Sequence, residues 1–335
     1  MEFNPEHLDS FLRASISGLE GPMHLERISG GQSNPTYFVN YANRRLVLRK
    51  QPPGNLLPSA HAVDREYRVM AALRNADVPV PTVVLFCADR EVIGTLFYIM
   101  ERLEGRVFHD AALPGVASGE RRIMYQSLAQ ALASLHNLDP AALGLSDYGR
   151  CGSYFTRQIA RWTTQWELSR TRDDGNIENL IAWLPQNIPD EDATGISHGD
   201  YRVGNVMFHQ REPRVIAILD WELSTLGHPL ADLAHACMGW HSWPEEYGGL
   251  KGLDLSALGL PTETEFLEAY YAAVNHSLRI TRFHMAFALF RFAVIFEGIA
   301  GRAKAGNAAD ADASKVGPLS ARFAQHAVDA LNAKG

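Results

Sequence analysis

Apolar positions along this chain recur with two different periods, and the change of period divides it. Up to about residue 103, short alternating or β-branched runs bounded by turn residues read as strands: Leu25 to Ile28, Thr36 to Val39, Arg44 to Lys50, Val83 to Cys87 and Leu96 to Met100. A helical stretch, Pro5 to Ser17, precedes them. One amphipathic helix interrupts them, reached through the breaker Gln51 to Asn55, with Ser59 as its N-cap and Val63, Tyr67, Met70 and Leu73 on one apolar face. Val78 to Thr82 is a proline-rich turn. Beyond Glu104 the period becomes helical. Arg121 to Leu138 predicts a helix with Ile123, Leu128, Leu132 and Leu135 inside, and Tyr154 to Leu184 predicts aromatic-rich helix, with Trp162, Trp166 and Trp183 in the core and a polar turn at Arg172 to Asn176.

Strand signals return once within the helical part, and the chemistry gathers there. Val203 to Phe208 leads through the turn-like His209 to Pro213 into the apolar run Val215 to Leu219, which ends at Asp220. Asp200 and Asn205 stand just before, at the Asp-x-x-x-x-Asn interval of a phosphoryl-transfer loop. Moving a phosphoryl group needs an oriented acceptor hydroxyl and cations on the phosphate oxygens. Asp200 is the candidate catalytic carboxylate. Asn205 and Asp220 offer hard oxygen ligands for Mg²⁺, returned by the hairpin to one end of it. His198 reads as a support of the loop. Asp232, near the start of the helix that follows Gly227, reads as structural.

The first part supplies what a nucleotide needs. Gly30, Gly31, Ser33 and Asn34 form a small-residue turn between two strands, able to approach phosphates closely, although it lacks G-x-G-x-x-G. Arg49 and Lys50 end a strand where a phosphate-binding cation belongs. Because strand side chains alternate, only one of them faces the nucleotide; Arg49 is favoured and Lys50 stays open. Glu66 lies on the apolar face of its helix, which demands a cationic partner, and Arg49 or Lys50 would supply one.

His198-Gly199-Asp200-Tyr201-Arg202-Val203-Gly204-Asn205-Val206-Met207-Phe208, followed by Ile218 to Glu222, resembles the aminoglycoside phosphotransferase and choline kinase superfamily. The stretches at residues 30–39, 47–69 and 297–313 look most like its acyl-CoA-dehydrogenase-linked branch. The resemblance implies an α+β, bilobal protein-kinase-like fold: residues 1–103 as a small antiparallel-sheet lobe with one key helix, and 104–335 as a larger, mainly helical catalytic lobe. It implies ATP and Mg²⁺ as cofactors, adenine bonded by backbone near Met100, Glu101 and Leu103, and a functional link to an acyl-CoA dehydrogenase. Trp221-Glu222 resembles the Phe-Glu of choline kinases, and that resemblance implies Glu222 as a further carboxylate near the metal. Aminoglycoside or choline-type kinases, and a catalytically silent nucleotide-binding protein of the same fold, are the alternatives.

Composition narrows the partners. The net charge of −7 gives no general attraction to nucleic acid or anionic membrane. Cys87, Cys151 and Cys237 show neither disulfide nor zinc spacing, and with no signal-like start they point to the cytoplasm. Phe283 to Ile299 contains His284, Arg291 and Glu297 and reads as a buried helix, not a membrane span. Gly301 to Ala313 reads as a loop. Between Asn275 and Lys304, Arg279, Arg282, Arg291, Arg302 and Lys304 face a single acid, Glu297, which favours an anionic acceptor such as a hydroxy acid; the resemblance to the dehydrogenase-linked branch implies hydroxyacyl-CoA as the concrete candidate. Arg291, set among apolar residues, pairs with an acid of the fold or with a ligand.

Overall fold

The computed structural model describes residues 2–28, 34–54, 61–304 and 317–333. The chain forms two compact units, Met1–Gly105 with Ile216–Ser224, and Arg106–Val215 with Thr225–Gly335. The expected turn residues Gly30, Gly31 and Ser33 and the expected cap Ser59 lie outside the described residues.

The first unit contains α1 (Pro5–Ser15), β1 (His24–Arg27), β2 (Thr36–Asn40), β3 (Arg45–Lys50), α2 (Val63–Leu73), β4 (Val83–Cys87), α3 (Arg90–Ile93) and β5 (Phe97–Glu101). The strands form one antiparallel sheet in the order β1-β2-β3-β5-β4. Alternation on β3 decides what this sheet offers. Leu46 and Leu48 enter a core with Leu8 and Leu12 of α1, Tyr37, Val39, Phe97 and Ile99. Lys50 shares their parity and Arg49 does not, so the two cations leave the strand on opposite faces. The helix α2 packs on β4 and β5, with Tyr67 against Phe86 and Tyr98. The returning segment 216–224 is tied in by the amide of Ile218, which donates to Pro79 O at 2.8 Å.

The remaining elements are β6 (Gly105–Arg106), α4 (Ser118–His136), α5 (Tyr154–Ser169), α6 (Gly175–Trp183), β7 (Gly195–Ser197), β8 (Val206–His209), β9 (Val215–Ile218), β10 (Thr225–Gly227), α7 (Pro229–Cys237), α8 (Pro244–Tyr247), α9 (Leu255–Leu258), α10 (Glu263–Ala273), α11 (Arg282–Lys304) and α12 (Leu319–Asn332). In the second unit α11 is the central helix, packing on α5, α7 and α12. It is long and apolar enough to cross a membrane by length and composition, yet 83% of its apolar window is buried inside the protein.

Two expectations needed correction. Ile123 is 49% exposed, because the inward face of α4 runs through Met124, Leu128, Leu132 and Leu135, a turn apart each time, and Ile123 falls beside it. Helix α11 continues to Lys304 where a loop was expected from Gly301; residues 305–313 lie outside the described residues. Val203–Asn205 is a 3₁₀ turn that leads into the strand Val206–His209. Of the three tryptophans expected in the core, Trp166 is fully buried and Trp162 and Trp183 are partly so. The polar turn is present, and Asp174 caps α6 by accepting from the amides of Asn176 and Ile177.

Candidate active site

In the first unit a set of buried charges is built around Arg49. Its Nε lies 2.8 Å from Glu66 Oε2, its Nη2 donates to Asp220 Oδ1 at 2.7 Å, and Glu222 Oε2 is 3.6 Å away. Lys50 is turned away: its buried Nζ is 3.3 Å from Glu2 Oε2 and sits over the Phe3 ring. The alternative left open by the sequence is therefore decided for Arg49 as the partner of Glu66. Glu66 is 1% exposed and also accepts from Asn34 Nδ2 at 2.6 Å and Tyr98 Oη at 3.0 Å. Burial pushes its carboxyl up, opposed by Arg49 and by those two bonds. Burial likewise works against charge on Arg49, but Glu66, Tyr98, Asp220 and Glu222 together raise it above its ordinary value. Arg49 therefore stays cationic, and Glu66 with it forms an ion pair.

Asn34, expected to approach phosphate, is spent inside the protein. Its other amide end lies 3.0 Å from His61 Nδ1. Asp220 adopts a left-handed backbone at φ 60°, a conformation Asp tolerates better than most residues. In the expected adenine-contacting stretch, the Glu101 carboxylate is bound by Arg44. The amides of Glu101 and Arg102 donate to Thr82 O and Arg45 O. The N–H of Leu103 has no partner among the described residues.

In the second unit β7 pairs antiparallel with β10, which brings the loop after Ser197 beside the start of α7. Asp232 of α7 uses that proximity. It accepts from Ser197 Oγ at 2.9 Å and from the amides of His198 at 2.6 Å and Gly199 at 2.8 Å. Burial opposes its charge, but His136, His198 and the Gly199 amide hold its pKa near 2. Gly199 itself needs φ 84°, which explains a glycine before Asp200. Its carbonyl accepts from Arg291 Nη2 at 2.6 Å. Arg291 is 8% exposed, stands 5.6 Å over the Trp162 ring and has no carboxylate partner among the described residues. Among the described residues a loop carbonyl and an aromatic face stand where an acid partner was expected.

Asp200 follows. Asn205 Nδ2 donates both to its carbonyl at 2.8 Å and to its Oδ2 at 2.6 Å. His235 Nε2 lies 2.8 Å from its Oδ1, and Arg202 Nε 3.6 Å from Oδ2. Burial would raise the Asp200 carboxyl, but the His235 bond, Arg202 and His198 hold it well below the usual range. It is ionised at any physiological pH, a form that accepts and orients a hydroxyl but is a weak base. His198, fully buried, receives the Asp200 amide on Nδ1 at 3.3 Å and supports the loop as expected.

Sequence reasoning missed His235 and Arg202. The signal for His235 was its place three residues after Asp232, on the same face of α7.

The second unit also holds a cavity of about 60 Å³, walled by Tyr125, Trp240, Tyr247 and Phe292 and reached by Arg202 and His235. The basic segment does not converge on it. Arg279 lies over Tyr271, Arg282 lines a separate pocket with His241 and Lys251, and Glu297 is taken by Thr171 and Arg172. The charge excess read from residues 275–304 is thus not the charge of one acceptor site.

Residues 24–275 match the model of the phosphotransferase enzyme family. The chain belongs to this family. A Ralstonia eutropha protein, crystallised and assigned as an aminoglycoside phosphotransferase, is 42% identical with a TM-score of 0.91, covering 99% of this chain and 100% of its own. Mouse acyl-CoA dehydrogenase family member 10 is 42% identical over 340 residues, all of this chain but 32% of the relative. Human acyl-CoA dehydrogenase family member 11 is 38% identical over 319 residues, 93% of this chain and 41% of the relative. The phosphotransferase chain therefore spans about a third to two-fifths of these curated relatives. A thermostable aminoglycoside phosphotransferase solved with AMP-PNP and hygromycin B shares the fold, with a TM-score of 0.64 at 16% identity. The α+β kinase-like fold and the kinship implied by the Asp200 to Glu222 motifs are thus both established.

Proposed function

We propose that this phosphotransferase moves the γ-phosphoryl group of ATP to a hydroxyl of a small molecule. The observation that carries the reading is the Asp200 carboxylate, held at one oxygen by Asn205 and at the other by His235 immediately after β7. Such a carboxylate orients an acceptor hydroxyl and takes its proton as the phosphoryl group arrives. In the first unit Arg49, backed by Glu66, is the proposed phosphate cation, with Asp220 and Glu222 beside it. The relative solved with AMP-PNP supports ATP as donor.

The donor chemistry in each unit suits Mg²⁺. Asn205 Oδ1 in the second unit and Asp220 Oδ2 in the first are each without a partner among the described residues, and each is the kind of hard oxygen this ion prefers. Mg²⁺ usually takes one or two protein oxygens plus phosphate oxygens and water, so no cluster of acids or histidines is needed, and none occurs among the described residues. When bound, the ion would neutralise charge on the transferred phosphate.

For the acceptor we place a hydroxy acid or hydroxyacyl-CoA first. The aromatic walls beside Arg202 suit an apolar body carrying an anion, and the curated relatives are acyl-CoA dehydrogenase family members, which also motivates a functional link to such a dehydrogenase. Three free cysteines fit work in the reducing cytoplasm. The test is ATP turnover with Mg²⁺ against aminoglycosides, choline, hydroxy acids and hydroxyacyl-CoA. Stimulation by hydroxy acids or hydroxyacyl-CoA is expected. Stimulation by cationic acceptors alone refutes the acceptor class, and the absence of both turnover and Mg-ATP stabilisation refutes the kinase reading.

A further inference from the structure

We propose that His235 is a positioning residue for phosphoryl transfer, its neutral Nε2–H tautomer fixing the Asp200 carboxylate toward the acceptor hydroxyl; this rests on the phosphotransferase reading above. The helix α7 carries Asp232 and His235 one turn apart. Asp232 holds the amides of His198 and Gly199, and His235 reaches the side chain of the next residue, Asp200. A single rigid helix face thus sets both the main chain and the carboxylate of the loop.

The protonation state follows from the partners. His235 is 2% exposed, packs edge-on against Phe292 at 5.2 Å, and its buried Nδ1 has no partner among the described residues. An imidazolium would bury a bare N–H donor and a charge there, whereas the neutral ring leaves only an unused lone pair. The other neutral tautomer would set the Nε2 lone pair against a carboxylate oxygen 2.8 Å away, which is repulsive. Nε2–H donating to Oδ1 is the remaining state. Burial, only partly offset by Asp200, also lowers the pKa of His235.

The consequence is geometric. With Oδ1 held by His235 and Oδ2 by Asn205, rotation of the carboxylate is blocked while each oxygen keeps a lone pair for a hydroxyl. The donor is neutral, so the carboxylate keeps its charge. Loss of the bond should therefore lower kcat and leave nucleotide binding alone.

The test compares His235→Phe, which keeps an aromatic ring without a donor, with His235→Gln, whose side-chain amide can reach the place of Nε2. Each is made in the full chain and assayed with whichever acceptor stimulates the unsubstituted enzyme. His235→Phe should lower kcat on the order of 10- to 100-fold with the KM for Mg-ATP within about twofold, and His235→Gln should recover most of the loss. Unchanged kcat in His235→Phe, equal impairment in His235→Gln, or a rise confined to the KM for Mg-ATP overturns the inference. An independent readout needs no acceptor: ¹⁵N-histidine NMR of the unsubstituted protein should show a neutral Nε2–H ring that disappears in His235→Gln. An imidazolium or Nδ1–H ring overturns the inference. Failure of every acceptor would count against the phosphotransferase reading alone, because the ring state is read separately.

Discussion

Glu66 is the most exacting residue of the first unit, and replacing it by glutamine isolates why. The carboxylate accepts from Asn34 on Oε1 at 2.6 Å and from Tyr98 on Oε2 at 3.0 Å, and Oε2 forms an ion pair with Arg49 Nε at 2.8 Å. An amide of the same shape must turn its NH₂ toward one of those sets, so at least one donor meets a donor. Removing one partner of a buried pair costs about 3–5 kcal/mol where the remaining charge is stranded. Arg49 is not wholly stranded, since Asp220 stays at 2.7 Å and its side chain is 16% exposed. The expected loss is therefore about 2–3 kcal/mol, a fall in the first unit's melting temperature on the order of 10 °C by calorimetry. Adding Arg49→Met removes the cation as well, and the double variant should lose less than the two single losses together, by about 1–3 kcal/mol. A Glu66→Gln protein that melts like the unsubstituted one, or a coupling below about 0.5 kcal/mol as exposed pairs show, would refute the buried-pair account.

Asp200→Ala should reduce transfer at least about 1000-fold while Mg-ATP still raises the melting temperature, because the nucleotide residues are otherwise intact; full activity would remove Asp200 from its role. His228 and His284, packed together around Phe155, have pKa values lowered by burial to about 4 and about 3, so the folded state binds fewer protons than the unfolded chain. Stability should be complete above pH 6.5 and fall as the pH drops from there toward 4, by about 3–5 kcal/mol for the pair at pH 4.5. His284→Asn, whose Oδ1 can still accept from Thr281, should flatten that limb in urea melts at graded pH; an unaltered limb would assign the acid loss elsewhere. Gly149→Ala would bring a methyl to 2.5 Å from Thr225 Oγ1 and 2.6 Å from the Leu226 amide, beside β10. That overpacking should cost about 1–3 kcal/mol and several degrees in the melting temperature.

What the sequence made legible follows from the range over which each signal acts. The strands of the first unit and the helix bearing Glu66 are local patterns of period, and they appear where expected; Asp200, Asn205 and Asp220 were legible as a spacing. The choice of Arg49 over Lys50 was half legible. Alternation required opposite faces, but naming the inward cation needed α1 and the Glu2–Phe3 segment, which claim the Lys50 side. Ile123 was misplaced because a helical stripe read from sequence carries an angular error of about one residue, or 100°. Asn34 was read as a phosphate ligand because nothing near it in the chain announces Glu66 or His61, which use up both ends of its amide.

Arg291 shows the deeper limit. Counting charges in the segment 275–304 treated each arginine as free to face a ligand, and the expected remedy for a buried one was a carboxylate. The fold answers differently. The peptide of Gly199 stands between Asp232, which accepts from its N–H, and Arg291, which donates to its C=O, so two buried charges of opposite sign meet through one peptide group instead of directly. Each charge keeps a charge-assisted hydrogen bond, the polar groups of the left-handed Gly199 are satisfied, and Asp200 is fixed one residue further on. The arrangement joins α7, the loop after β7 and α11, three segments far apart in the chain, and no single window of sequence contains it. Conversely, the part of it that does fall within one helical turn, Asp232 followed by His235, was open to a reader who asked what else that face of the helix presents to the loop.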